Sequence, residues 1–222
     1  MRQNSPRRSA RRTRRLAIGL VFALAAAALR VRAEVIDRVL AVAAGELIML
    51  SDVTAARDLG LIDASRAPDP IAAVLSKLID RELVLAEVDR YAPPEPSVAA
   101  VDRELQQVRA RFRSEQAYEA ALARSGIDEN HLRETLRQNL RIAAYEEQRF
   151  SVPPPGDEEL ARYYREHPQA FTHNGRIEPL ENVRDDAVRA FVADRRAALI
   201  ADWTVGLRRR GDVIDLYLLP AR

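Results

Sequence analysis

The stretch "VIDRVLAVAAGELIM" (residues 35–49) decides how the two ends of the fold are joined. It contains two β-like runs, "VIDRVLAV" and "ELIM", separated by small residues with a turn at Gly45, which predicts a β-hairpin. The closing run "DVIDLYLL" (residues 212–219) alternates enough to be a strand. Because the only other strands lie at the start, we expect the last strand to pair with the first hairpin, so that the two ends of the fold meet.

The segments between these strands have helical patterns. At least six helices are predicted, starting near cap residues or prolines at Ser51, Pro70, Ser97, Ser114, Asp128 and Asp157 and ending with a long helix over about residues 180–210. The widest apolar face lies in residues 71–91 and is typical of a central buried helix. Gly211 is expected to end the last helix in the left-handed conformation. The predicted fold class is mainly α, one helical domain with a small sheet.

The first 33 residues have the composition of a secretory signal peptide. Residues 1–15 carry seven arginines and no acid, residues 16–29 are uninterruptedly apolar, and Val31-Arg32-Ala33 is typical of a cleavage site. The alternative is a retained membrane anchor, but a bilayer core requires about 20 apolar residues and this run has 14. We therefore expect an exported mature chain without a membrane span, by either the general or the twin-arginine route.

The leader also accounts for the basic character of the chain. The whole sequence has 35 basic and 33 acidic residues, and nine of the arginines lie in residues 1–33. The other 189 residues carry 26 basic and 33 acidic side chains, a formal charge of −7. A nucleic-acid-binding domain requires a basic face, so the composition argues against a nucleic-acid partner.

The sequence has no cysteine and no recognisable catalytic motif. Its three histidines, His131, His167 and His173, are not spaced as metal ligands, and no cysteine can complete a zinc site. A P-loop, a dinucleotide fingerprint and a nucleophile elbow are all missing. We therefore predict no catalytic residue, no metal and no cofactor, and hence a protein that is not an enzyme.

Five segments of the chain follow one another in a specific order. They are "VIDRVLAVAAGELIMLSDV", "LIDRELVLAEVDRYA", "FRSEQAYEAALARSGIDENHLRETLRQNLRIAAYEEQRF", "DEELARYYREHPQAF" and "PLENVRDDAVRAFVADRRAALIADWTVGLRRRGDVIDLYL". The first four resemble the N-terminal chaperone region of the SurA family, which consists of periplasmic chaperones. The fifth is similar to the helix and strand with which that family closes its fold.

The resemblance implies a division of the chain. Residues 1–33 are the signal peptide, residues 34–171 resemble the SurA N-terminal region, and residues 179–222 resemble the part that packs back on it. In family members with isomerase activity, a parvulin domain lies between these two parts. Here residues 172–178 fill the gap as a short loop with an Asn-Gly turn, too few residues for a prolyl-binding pocket.

The function implied by the resemblance is that of a periplasmic, ATP-independent holdase. Its partners would be unfolded or extended exported and outer-membrane polypeptides, held in a cradle between the helical lobe and the C-terminal helix. The candidate peptide-binding residues are the larger aromatic ones, Phe112, Tyr118, Tyr145, Phe150 and Tyr164.

Two other functions and one assembly stay open at this point. The family also suggests a peptidyl-prolyl cis-trans isomerase, which the short loop disfavours. The same scaffold would suit an accessory subunit of one export system. The narrow apolar seam over residues 98–112 suits packing on a single neighbour, including a second copy in a homodimer.

Overall fold

The computed structural model of the 222-residue chain is described here over residues 37–173 and 175–217. The signal peptide predicted for residues 1–33 and its alternative, the membrane anchor, lie outside the described residues. Within these two ranges no helix combines the length and the apolar composition that crossing a membrane requires.

The described chain is mainly helical, as predicted. Its seven α-helices are α1 (Leu50–Asp58), α2 (Pro70–Tyr91), α3 (Val98–Arg109), α4 (Glu115–Ser125), α5 (Glu129–Arg149), α6 (Asp157–Glu166) and α7 (Leu180–Arg210), and a 3-10 turn covers Pro168–Phe171. The strands in the same residues are β1 (Val39–Ala43), β2 (Glu46–Met49), β3 (Thr172–His173), β4 (Arg176–Ile177) and β5 (Val213–Asp215).

A three-stranded antiparallel sheet joins the two ends of the described chain. The strand order is β2-β1-β5, so that Ala41 of β1 lies opposite Ile48 on one side and Asp215 on the other. Beyond β5, the Leu216 N–H donates to the Leu40 carbonyl at 2.9 Å. The predicted pairing of the closing strand with the initial hairpin is confirmed.

The hairpin turns through Ala44 and Gly45, which have φ angles of 52° and 88°. Two successive positive φ angles are typical of a two-residue turn whose twist matches that of the flanking strands. Gly45 adopts this conformation without steric cost, whereas Ala44 does not. The Ala44 N–H donates to the Asp212 carbonyl at 3.0 Å, so the turn is also tied to the segment that leads into β5.

Most helix starts follow the predicted caps. The side chains of Ser97, Ser114 and Asp128 accept hydrogen bonds from the backbone N–H three residues further on, at 3.2, 3.2 and 2.8 Å. The first helix differs from the prediction because α1 begins at Leu50, ahead of Ser51. Asp52 lies in its first turn and accepts the Met49 N–H at 2.8 Å, so its carboxylate stabilises the helix start from within.

Two apolar clusters form the body of the fold. The first cluster contains the hairpin, α1 and α2, and α2 buries eight apolar side chains in it, as expected of a central helix: Val74, Leu75, Leu78, Ile79, Leu83, Val84, Leu85 and Val88. The second cluster consists of α3, α4 and α5 with Ala55 of α1 and Leu59, which follows that helix. Since α1 contributes to both, it joins the two clusters.

The apolar seam of α3 is filled within the chain. Val101, Leu105 and Val108 are buried against α4 and α5 in the second cluster. Only Val98, at the helix start, is strongly exposed, with 75% of its surface accessible. The seam therefore does not present the free surface that suggested a homodimer, because α4 and α5 cover it.

A third apolar cluster holds α6, the 3-10 turn and the first half of α7. Its buried residues include Tyr163, Phe171 and Val183. Residues 172–178, expected as a loop, contain the paired strands β3 and β4, and the Glu178 N–H donates to the Phe171 carbonyl at 2.9 Å. The chain thus passes from α6 to α7 through a tight hairpin.

Helix α7 connects the third cluster to the first. Its N-terminal half contains the buried Val183 and Ala187, and its C-terminal half places Leu207 in the first cluster beside α2. Leu199, in the middle of the helix, differs from Val183 and Leu207 in being exposed. The middle of a helix that spans two separate clusters has no core to face, which explains this difference.

Gly211, which follows α7, differs from its predicted role. Its φ and ψ of −77° and 149° are extended, so it does not end the helix in the left-handed conformation. Glycine is required here for space, because an added Cβ would overlap Leu83 Cδ2 and lie 3.0 Å from the Leu207 carbonyl oxygen. Close approach between the end of α7 and α2 therefore depends on the missing side chain.

We expect Gly211→Ala to lower the free energy of unfolding by about 1–3 kcal/mol, the usual cost of overpacking. Gly206→Ala is the matched control, since its Cβ meets only the far end of Arg210 at 3.3 Å. In a helix interior that change should stabilise by about 0.5–1 kcal/mol. Urea denaturation followed by circular dichroism measures both, and a Gly211→Ala protein as stable as the parent would contradict the packing described.

Candidate peptide-binding groove

A cavity of about 540 Å³, here called the groove, opens between β2, α1, α2 and α5. Apolar residues from these elements and the adjoining loops line it: Leu47, Ile48, Ala55, Ala56, Leu61, Ile62, Leu78, Ile127 and Leu132. Its volume lies in the range typical of ligand sites, about 300–1,000 Å³. None of the described residues of α7 lines it, so it differs in place from the cradle with the C-terminal helix that the resemblance implied.

The groove lies along the junction of the first and second clusters. Arg81 of α2 spans this junction, where its Nε donates to Asn139 Oδ1 at 2.8 Å and one terminal nitrogen donates to Gln138 Oε1 at 2.6 Å. The other terminal nitrogen pairs with Glu82. A planar guanidinium can serve three acceptors in this way, so α2 and α5 are linked by polar contacts beside the groove.

Charged side chains accompany the apolar lining, and acids outnumber bases: Glu46, Asp52, Glu82 and Glu134 against Lys77 and Arg81. Glu82 is the least solvated acid. Burial raises the pKa of the Glu82 carboxyl, the Arg81 guanidinium opposes this rise, and the negative charges of Glu46 and Asp52 add to it. The neutral form of Glu82 is thus favoured by folding, and its contribution to stability is lost as the pH rises through the raised pKa.

A second cavity of about 290 Å³, here called the side cavity, adjoins the groove. Glu46, Glu82 and Gln138 line both cavities, and Ala44, Leu85, Ala86 and Asp89 complete the smaller one. The two cavities therefore follow β2 from its middle towards the hairpin turn.

Strand β2 forms an open sheet edge at the groove. The Ala44 N–H and the Leu40 carbonyl of β1 bond to the β5 side. Since bonding direction alternates along a strand, Ala41 and Ala43 bond to β2, and their partners are Ile48 and Glu46. The N–H and carbonyl of Leu47 consequently point away from β1. Leu47 is 58% exposed and lines the groove.

Aromatic residues form a separate surface where the ends of α2 and α5 meet α7. Tyr145 lies 5.5 Å from Tyr91 and 5.9 Å from Trp203, ring centroid to centroid, and Phe150 lies 5.2 Å from Trp203. The Arg149 guanidinium lies 5.5–5.9 Å from the centroids of three of these rings. Tyr91 is 60% exposed, so this aromatic surface reaches solvent.

The five aromatic residues proposed from the sequence fall into three places. Tyr118 is only 1% exposed and packs with Phe112 in the second cluster, with ring centroids 5.7 Å apart. Tyr145, 6% exposed, and Phe150 belong to the aromatic surface. Tyr164 packs on the third cluster, where its hydroxyl donates to the Glu178 carbonyl at 2.7 Å. None of the five lines the groove, and their role in peptide binding stays a prediction.

The groove residues were not selected from the sequence, although one signal for them exists. Arg81 and Glu82 follow Asp80 in the charged run that interrupts the apolar residues of the central helix between Ile79 and Leu83. Charged side chains in such a helix require partners or solvent, which predicts a polar opening beside α2. Leu47 gives no comparable signal, because a single exposed leucine is common on protein surfaces.

Among the described residues, no group of three or more histidine, cysteine, aspartate and glutamate side chains is arranged to hold a metal ion. The lining of the groove is chemically mixed. It combines apolar surface, an open backbone edge and carboxylates.

Comparison with solved structures gives distant structural matches. No protein-family model and no curated protein matches the chain. A matching solved structure comes from work on the virulence factor PEB4 and the periplasmic protein Cj1289 of Campylobacter jejuni, described as structurally related SurA-like chaperones. The TM-score is 0.49 at 12% identity, covering 80% of this chain and 99% of that one.

Proposed function

We propose that this protein is an ATP-independent chaperone that binds unfolded or extended polypeptides in the periplasm. The observation that carries the proposal is the groove, an apolar-lined cavity of about 540 Å³ beside an open strand edge. A site of this kind matches a feature that all unfolded chains share, namely unpaired backbone with intermittent apolar side chains.

The strand edge supports recognition without sequence specificity. An extended segment that adds to a sheet edge gains main-chain hydrogen bonds, while side-chain pockets provide any selectivity. The N–H and carbonyl of Leu47 face this edge, and the lining of Ile48, Leu78 and Leu132 would receive apolar side chains of the bound segment. Such binding shields strand-forming segments from pairing with one another.

The proposed location in the periplasm is supported by the sequence. Residues 1–33 have the n-region, h-region and cleavage site of an export signal, and five ordered segments resemble the SurA family. Exported and outer-membrane polypeptides in transit are therefore the clients that we propose.

The first expected outcome concerns aggregation. An outer-membrane protein diluted from urea into buffer without nucleotide should precipitate less in the presence of an equimolar amount of this protein. Light scattering follows the reaction, and bovine serum albumin at the same mass concentration is the control. Equal precipitation with and without the protein would overturn the proposed function.

The second expected outcome concerns the open edge of β2. Leu47→Pro removes the outward N–H but no bond to β1, and proline is tolerated on edge strands. Leu47→Ala is the matched control, since it also removes the leucine side chain but keeps the N–H. We expect Leu47→Pro to bind a fluorescein-labelled extended peptide about threefold to tenfold more weakly than Leu47→Ala, the effect of roughly one lost hydrogen bond. Equal affinities, measured by anisotropy, would argue against strand addition.

The third expected outcome concerns prolyl isomerisation. Residues 172–178 form only a short hairpin, so we expect no acceleration of a refolding reaction that is limited by proline isomerisation. Refolding of a reduced, carboxymethylated test protein measures this, with a parvulin as the positive control. A rate that rises with the concentration of this protein would reinstate the isomerase alternative.

A further inference from the structure

We infer that the groove selects extended segments that carry a lysine or arginine, and that the cation of this side chain lies between Glu46 and Glu82. This inference rests on the proposed function and adds a chemical preference to it. It follows from how charge is distributed where the groove meets the side cavity.

Acidic side chains outnumber basic ones in the linings of both cavities. Four acidic and two basic side chains line the groove, and three acidic and no basic side chains line the side cavity. Glu46 and Glu82 line both cavities. A ligand that follows β2 therefore passes these two carboxylates wherever it enters.

Three of these acids have a resident arginine as partner, since Arg137 pairs with Glu134, Arg141 with Asp89 and Arg81 with Glu82. Arg81 pairs with Glu82, and its other nitrogens are held by Gln138 and Asn139. Among the described residues, none forms an ion pair or hydrogen bond with the Glu46 side chain. The two carboxylates thus share one counter-charge, and a cation from the ligand would supply the second.

The surroundings favour a long cationic side chain over a small ion. Ala44, Leu85 and Ala86 line the side cavity beside the two carboxylates, and lysine and arginine place their methylene stems on such apolar surface while the charged end meets the acids. Neighbouring positions of the same segment would place apolar side chains against Ile48 and Leu78 in the groove. The preferred motif is then a basic residue next to apolar ones in an extended segment.

An acidic segment would fare worse at this place. It would bring a further negative charge towards Glu46 and Glu82. In the described lining, the basic side chain that has no ion-pair partner is Lys77, and this residue is exposed on α2. Like charges in a partly desolvated site disfavour binding. The order of affinity expected for otherwise identical peptides is therefore lysine, then glutamine, then glutamate.

The test uses the full mature chain and three fluorescein-labelled peptides of about ten residues. They share an alternating pattern of valine and one variable residue that is lysine, glutamine or glutamate. We expect the lysine peptide to bind about fivefold more tightly than the glutamine peptide, the effect of an ion pair near a protein surface. Fluorescence anisotropy at low salt measures the dissociation constants, and 0.5 M NaCl should reduce the difference.

The variant Glu46→Gln/Glu82→Gln should abolish the preference for lysine, so that the lysine and glutamine peptides have equal dissociation constants. Glutamine at residue 82 retains an oxygen that can accept from Arg81, and circular dichroism checks that the variant is folded. The matched control is Glu158→Gln/Glu181→Gln, which changes net charge equally at two exposed residues of α6 and α7 and should keep the preference.

The outcomes distinguish failure of the proposed charge preference from failure of the proposed chaperone function. Equal binding of the three peptides, or tighter binding of the glutamate peptide, overturns the preference and leaves the chaperone proposal standing. A lysine preference that persists in the Glu46→Gln/Glu82→Gln variant, or that the Glu158→Gln/Glu181→Gln control also loses, overturns the assignment to this junction. Failure of every peptide to bind overturns the groove as a peptide site altogether.

Discussion

Strand β1 is paired along both of its edges, with β2 on one side and β5 on the other. The first pairing is local, since a two-residue turn separates the strands. The second brings together residues 170 to 174 positions apart in the chain. Once β5 is held there, α7 must run back along the molecule, and its C-terminal half covers α2. Gly211, between α7 and β5, permits the close approach of the end of α7 to α2.

The groove follows from how the helical body is divided. The first cluster is built on the hairpin and α2, the second on α3, α4 and α5, and α1 contributes side chains to both. Where two clusters meet, small side chains such as Ala55 and Ala56 leave space, and Arg81 fills part of it with polar contacts. A fold with one continuous core would close this junction. Division into two clusters is thus the structural origin of an accessible cavity.

The acids at the groove give it a negative charge, and the same charges lower the stability of the fold. Partial burial of Glu82 disfavours its charged form, as the raised pKa indicates. A protein selected for stability alone would do better with an apolar residue at such a place, since buried ion pairs seldom add stability. Glu46 and Asp52 increase this cost through their own negative charges. The arrangement makes physical sense where a positively charged ligand offsets the repulsion, and the open edge of β2 lies where that ligand would be bound.

The sequence by itself determined the class of fold, because local rules govern it. Helix caps at Ser97, Ser114 and Asp128, the apolar face of α2 and the glycine turn of the hairpin are set by neighbouring residues, and the pairing of the last strand followed from the lack of any other partner. Tertiary structure decided which surfaces stay free. The seam of α3 and the ring of Tyr118 looked available in the sequence, yet both are buried in the second cluster. Leu47 looked ordinary, and Glu82 signalled only a charge in need of a partner or solvent, yet both border a cavity that several separate elements create together. Exposure depends on contacts between residues distant in the chain, and periodicity along one segment does not contain that information.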